Sequence, residues 1–102
     1  MKNRLLSIFD IFKNPKPIPP GVYSYQSTPD APEPQKYFLR VEPDGSSTLL
    51  VNASLILHLN PVATEFAYAF IKQIDEAQMI RNVLKKYRID EQTLRRDYAS
   101  FL

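Results

Sequence analysis

The sequence predicts an α+β domain in which a three-stranded antiparallel sheet precedes three helices. Two observations carry this. Residues alternate at period two in Tyr37–Glu42 and again in Leu55–Leu59, and beyond Asn60 apolar residues recur at helical spacing behind three capping residues, Asn60, Asp75 and Asp90. With 102 residues the chain suits one domain with a modest core and is too short for two.

Residues 1–14 set Leu5, Leu6, Ile8, Phe9, Ile11 and Phe12 among Lys2, Arg4 and Lys13, a pattern that suits about three turns of amphipathic helix. So short a helix is marginal in water and needs a surface for its apolar stripe: its own domain, a partner or a second copy. Its modest charge favours protein over lipid, because stable lipid anchoring usually takes two signals.

Residues 15–36 form an extended Pro-rich arm. Seven of the nine prolines fall between Pro15 and Pro34, which blocks regular helix and central strand alike. Within the arm, Val22, Tyr23 and Tyr25 alternate with small or polar residues and suit a short edge strand.

The domain proper is expected over residues 37–102. Tyr37 to Glu42 alternates as a half-buried strand, and Pro43-Asp44-Gly45-Ser46 supplies a turn in which glycine provides positive φ. A second strand, about Ser47 to Val51, pairs back antiparallel, and Asn52-Ala53-Ser54 breaks it. The third strand, Leu55 to Leu59, is expected to send Leu55, Leu57 and Leu59 to the core and Ile56 and His58 outward.

Asn60 is a preferred N-cap, and Pro61 follows at the first helical position, where its missing N–H is harmless. Val62, Phe66, Ala69, Phe70 and Gln73 share one stripe of the first helix. Asp75 caps the second, with Gln78 as reciprocal member of a capping box and Ile74 and Met79 as hydrophobic staple. Ala77, Ile80, Val83, Leu84 and Tyr87 make its buried side. Asp90 caps the third, in which Ile89 staples against Leu94, and Leu94, Tyr98, Phe101 and Leu102 recur at helical spacing. A three-stranded meander needs cover, so the helices must hide one face of it, giving a winged-helix-like architecture. Its unpaired strand edges then offer backbone donors and acceptors to an extended chain.

Composition narrows the chemistry. Cysteine is absent, which excludes disulfides, thiolate zinc sites, iron–sulfur clusters and cysteine nucleophiles, and one histidine leaves little room for a metal. No Gly-rich phosphate loop, nucleophile elbow or metal-spaced ligand set appears, so the expectation is a non-catalytic protein without cofactors. The apolar runs fall far short of the roughly 20 residues of a membrane span, and the chain is expected to be cytoplasmic. Formal net charge is +2, but residues 37–102 carry eight Lys/Arg against eight Asp/Glu, so no concentrated positive face advertises nucleic-acid binding.

Three stations in this order resemble the PqqD-like family, the precursor-peptide recognition elements (RRE domains) of RiPP biosynthesis, which handle ribosomally made and modified peptides. Leu49-Leu50-Val51 leads through a turn to Leu55-Ile56-Leu57-His58-Leu59-Asn60. Ala63, Phe66 and Phe70 are followed by Ile80, Leu84 and Tyr87. Asp97-Tyr98-Ala99-Ser100-Phe101-Leu102 closes the chain. The resemblance covers Thr48 to Leu102, a little over half the chain; the glycine that family members often carry between the first two helices is replaced near Lys72-Gln73-Ile74.

The resemblance implies a peptide chaperone that binds a leader peptide by β-strand addition and presents it to a radical SAM/SPASM maturase, either as a separate subunit or as that enzyme's N-terminal portion. The leader would lie along Leu55, Ile56, Leu57, His58 and Leu59, against a wall of Leu94, Arg95 and Tyr98, with Arg95 or Arg96 pairing acidic leader residues. Leu57→Pro is expected to abolish capture by removing a ladder donor. Against this stand plainer readings: an outward strand histidine with no second His or Cys is ordinarily solvated, and Leu94 and Tyr98 serve a core equally well. Two rival functions remain, a winged-helix DNA-binding regulator, whose third helix would here be net acidic, and a structural module that dimerises through the N-terminal arm.

Overall fold

The computed structural model describes residues 17–28 and 30–101; the amphipathic segment 1–14 and Leu102 lie outside the described residues. Four strands, β1 (Gly21–Gln26), β2 (Lys36–Val41), β3 (Ser47–Val51) and β4 (Leu55–Leu59), precede α1 (Pro61–Lys72), α2 (Glu76–Lys86) and α3 (Glu91–Phe101). The sheet is an antiparallel meander in the order β1-β2-β3-β4. It therefore has one strand more than the three expected. The extra strand is the Val22–Tyr25 alternation of the arm, which pairs with β2 from Gly21↔Val41 to Gln26↔Lys36. The sheet thus extends across the expected boundary at residue 37.

The turns follow their residue types. Gly45 adopts φ +91° between β2 and β3, and its N–H donates to the Glu42 carbonyl. Asp44 accepts from both the N–H and the hydroxyl of Ser46, which together hold its carboxyl below the ordinary aspartate range. Between β3 and β4, Asn52 and Ala53 both take left-handed backbone conformations, φ +53° and +59°.

The caps form largely as expected. Asn60, Asp75 and Asp90 accept from the N–H groups of Ala63, Gln78 and Thr93, respectively. The reciprocal half of the predicted capping box is replaced, because the Gln78 side chain bonds Asn82 and Arg81 along its own helix instead. Gln73 closes α1 in the left-handed region at φ +58°, the conformation for which glycine is usual. Its side-chain amide also donates to the Phe70 carbonyl.

α1 is the central layer. It packs across all four strands, while α2 and α3 pack on α1 and on each other. Its sheet side buries Ala67 and Ile71 with Leu39, Val41 and Leu49; its other side buries Phe66 and Ala69 with Met79, Ile80, Val83 and Leu94. Phe70, expected on one stripe with Phe66, belongs to the sheet side, where its ring meets Tyr25 and Tyr37 edge-on.

Two buried polar pairs fix α1 in place. Thr64 donates its hydroxyl to the Asn60 carbonyl, so the Ser47 hydroxyl is the donor in the 2.6 Å Ser47–Thr64 pair that ties β3 to α1. Glu65 meets Lys86 of α2 at 2.8 Å with both side chains largely buried. Burial, and secondarily the Glu65 carboxylate, push the Tyr87 phenol above its ordinary range.

Candidate functional site

β4 is an edge strand, and its register decides what the edge offers. The Asn52 N–H donates to the Lys36 carbonyl, so even-numbered residues of β3 bond β2 and Ser47, Leu49 and Val51 turn toward β4. Their partners Leu59, Leu57 and Leu55 are consequently bonded inward. The N–H and C=O of Ile56 and His58 point out of the sheet, unpaired by any strand among the described residues.

The same register sorts the side chains. Leu55, Leu57 and Leu59 share the helix-side face with buried Leu49, as expected, but the core covers only part of that row. Leu59 is half-buried, whereas Leu55 and Leu57 are 51% and 36% exposed. The expectation that both leucines are core residues is therefore corrected. α1 lies over the middle of the sheet, and an edge strand has cover on one flank only. Ile56 and His58 are exposed on the opposite face, as expected.

The predicted α3 wall needs larger corrections. Leu94 is fully buried at 0% exposure among the helices, and so cannot line a groove. Arg95 is already engaged: its guanidinium bonds Glu91 one turn back at 3.0 Å and Glu76 of α2 at 3.1 Å. That geometry points it along the α2–α3 seam. Tyr98 is half-buried, its ring edge-on to Phe66 at 5.2 Å between centroids. Arg96 is exposed and, among the described residues, bonds Thr93 of its own helix. The helix packed against β4 is α1.

The other free edge, β1, differs in chemistry. Its inward rings are occupied, Tyr23 edge-on to Tyr68 with Lys72 over its face, and Tyr25 against Phe70. Pro19 and Pro20 guard its start. Among the described residues, only β4 joins an open backbone edge to uncovered leucines on the helix side.

Among the described residues no helix is long and apolar enough to cross a membrane, and no three His, Cys, Asp or Glu side chains group as a metal site. No family model, curated protein or solved structure matches the chain.

The outward-facing amides of Ile56 and His58 were not singled out from sequence. A signal for them exists in the spacing of the two hairpin loops, which fixes the parity of the ladder, but it becomes readable only once both registers are known.

Proposed function

We propose that this domain is a non-catalytic peptide-recognition module that captures an extended segment as a further strand along β4. The observation that carries the reading is the β4 edge, where the N–H and C=O of Ile56 and His58 are open beside exposed Leu55 and Leu57. Main-chain bonds to Ile56 and His58 supply affinity with little regard to sequence, and alternate side chains of the captured strand meet Leu55 and Leu57, which favours apolar residues at every second position.

The resemblance to PqqD-like recognition elements supports naming the captured segment as the leader of a ribosomally made precursor. A radical SAM maturase, in the same chain or as a separate subunit, would then be the partner that acts on it, in the cytoplasm. Arg95, neutralised by Glu76 and Glu91, is a poor phosphate ligand, which weakens the DNA-binding alternative for a winged-helix-like fold.

The register refines the test. Proline at Leu57 removes an N–H that the β3–β4 ladder uses, so Leu57→Pro is expected to damage the hairpin itself. Proline at Ile56 removes an outward donor and is tolerated on an edge. Short peptides with leucine at alternate positions, titrated into the isotope-labelled domain beside duplex DNA, are expected to shift the Ile56 and His58 amides with peptide alone. Ile56→Pro should retain the dispersed spectrum and lose the peptide response. Undiminished capture by folded Ile56→Pro would sink strand addition at β4.

A further inference from the structure

The sheet face turned away from α1 carries an apolar row that no described element covers. Register places Phe38 of β2 beside Leu50 of β3, and Leu50 beside Ile56 of β4, so the three side chains stand adjacent across three strands. Phe38 is 42% and Ile56 58% exposed and Leu50 is half-buried; on β1 the residue opposite Phe38 is Ser24, and exposed Val22 stands opposite Arg40. Antiparallel sheets that face water on one side normally turn polar residues outward, so a row of this kind marks a docking surface.

We infer that residues 5–12 of this same chain dock as a short amphipathic helix on the Phe38–Leu50–Ile56 row. Leu5, Ile8, Phe9 and Phe12 recur at the spacing of one helical stripe. Such a segment is too short to hold a helix without a surface. Size separates this occupant from a second copy. Four strands spaced about 4.8 Å apart, each about five residues long at about 3.3 Å per residue, make a face of roughly 300 Å². Two such faces together bury roughly 600 Å², below the ~1,000 Å² that a stable interface needs. A helix over residues 5–12 is about 12 Å long and about 10 Å wide, which the face accommodates.

The tether reaches. Ile18 packs on the helix side of the sheet, so residues 13–17 must round the β1 edge. Extended, they span up to about 17 Å, against a layer spacing of about 10 Å and a further step of about 5 Å from β1 to Phe38 on β2. Because the segment is covalently attached, its effective concentration at the face is of millimolar order, which offsets the small contact area. The sheet would then be covered on both faces, with the β4 edge still open. The inference does not depend on peptide capture there.

The absence of cysteine makes the test direct. Ser7 lies off the stripe, and a nitroxide on Ser7→Cys in the full chain is expected to broaden the amides of Phe38, Leu50 and Ile56. Adding Phe9→Ser to the same labelled chain should abolish the broadening while leaving the domain's own shifts in place. Mixing spin-labelled chain with isotope-labelled, cysteine-free chain should produce none. Broadening in the mixed sample would assign the face to a second copy and overturn the inference. Broadening centred on the helices or on Leu55 and Leu57, or no broadening at all, would overturn it equally.

Discussion

Ala53 occupies a backbone conformation that suits it poorly. It sits at φ +59° beside Asn52 at +53°, and the left-handed region costs a Cβ-bearing residue about 1–2 kcal/mol, less for asparagine. Asn52 is well used there: its N–H donates to the Lys36 carbonyl, its Oδ1 accepts from the Lys36 N–H, and its amide donates to Gln35. Ala53 has no such compensation. Ala53→Gly is expected to raise stability by about 1 kcal/mol, the relief of strain exceeding the added freedom of the unfolded chain. A urea midpoint that moves up with unchanged slope would show it, and an unmoved or lower midpoint would refute it. Gln73, the other such position, gains a side-chain bond to Phe70 that glycine would lose, so its replacement should yield less. At this scale much was legible from residue type alone. Asn60, Asp75 and Asp90 cap as read, because an N-cap needs only a short polar side chain at the right place. The bonding of Gln78 along its own helix was not legible, since Asn82 and Arg81 compete for the same amide.

Element packing turns on α1, and the Glu65–Lys86 pair is its buried ionic contact with α2. The side chains are only 7% and 15% exposed, so removing one partner strands a charge away from water. Lys86→Met is expected to destabilise by about 3 kcal/mol, and the double variant Glu65→Met/Lys86→Met to recover most of that, because no unpaired charge then remains. Denaturant unfolding of the three variants measures the coupling. A double variant no better than Lys86→Met would show that the pair contributes attraction beyond mutual neutralisation. Periodicity revealed the elements but not their cover. Leu55, Leu57 and Leu59 alternate as a core row would, yet two of them are exposed, because α1 fits over the centre of the sheet and leaves its β4 flank bare. Likewise the spacing of Leu94 and Tyr98 identifies the inward side of α3 without saying what it faces, and it faces α1 and α2. The Arg95 geometry was illegible for the same reason, as Glu76 comes from a different helix.

For the whole molecule, the arm is part of the fold. Proline density marks residues 15–36 as a linker, and the alternation of Val22, Tyr23 and Tyr25 was the countersignal that a strand lay inside it. Tyr23 and Tyr25 stand over the sheet-side core together with Ile18, and β1 satisfies the outward N–H and C=O groups of Tyr37, Leu39 and Val41. A chain beginning at Lys36 loses all of these contacts at once. Three half-buried side chains contribute on the order of 1–2 kcal/mol each, and total stability for a domain of this size is about 5–15 kcal/mol. Such a chain is therefore expected to sit near the threshold of folding, with a broad thermal transition and weakened near-ultraviolet dichroism. A chain beginning at Pro17 keeps β1 and is expected to unfold in one sharp step. If the two melted alike, β1 would be an appendage and the unit of folding would begin with β2. The expected difference instead makes β1 a strand of the folding unit whose rings are spent on the core, leaving β4 as the edge that joins open backbone groups to uncovered leucines.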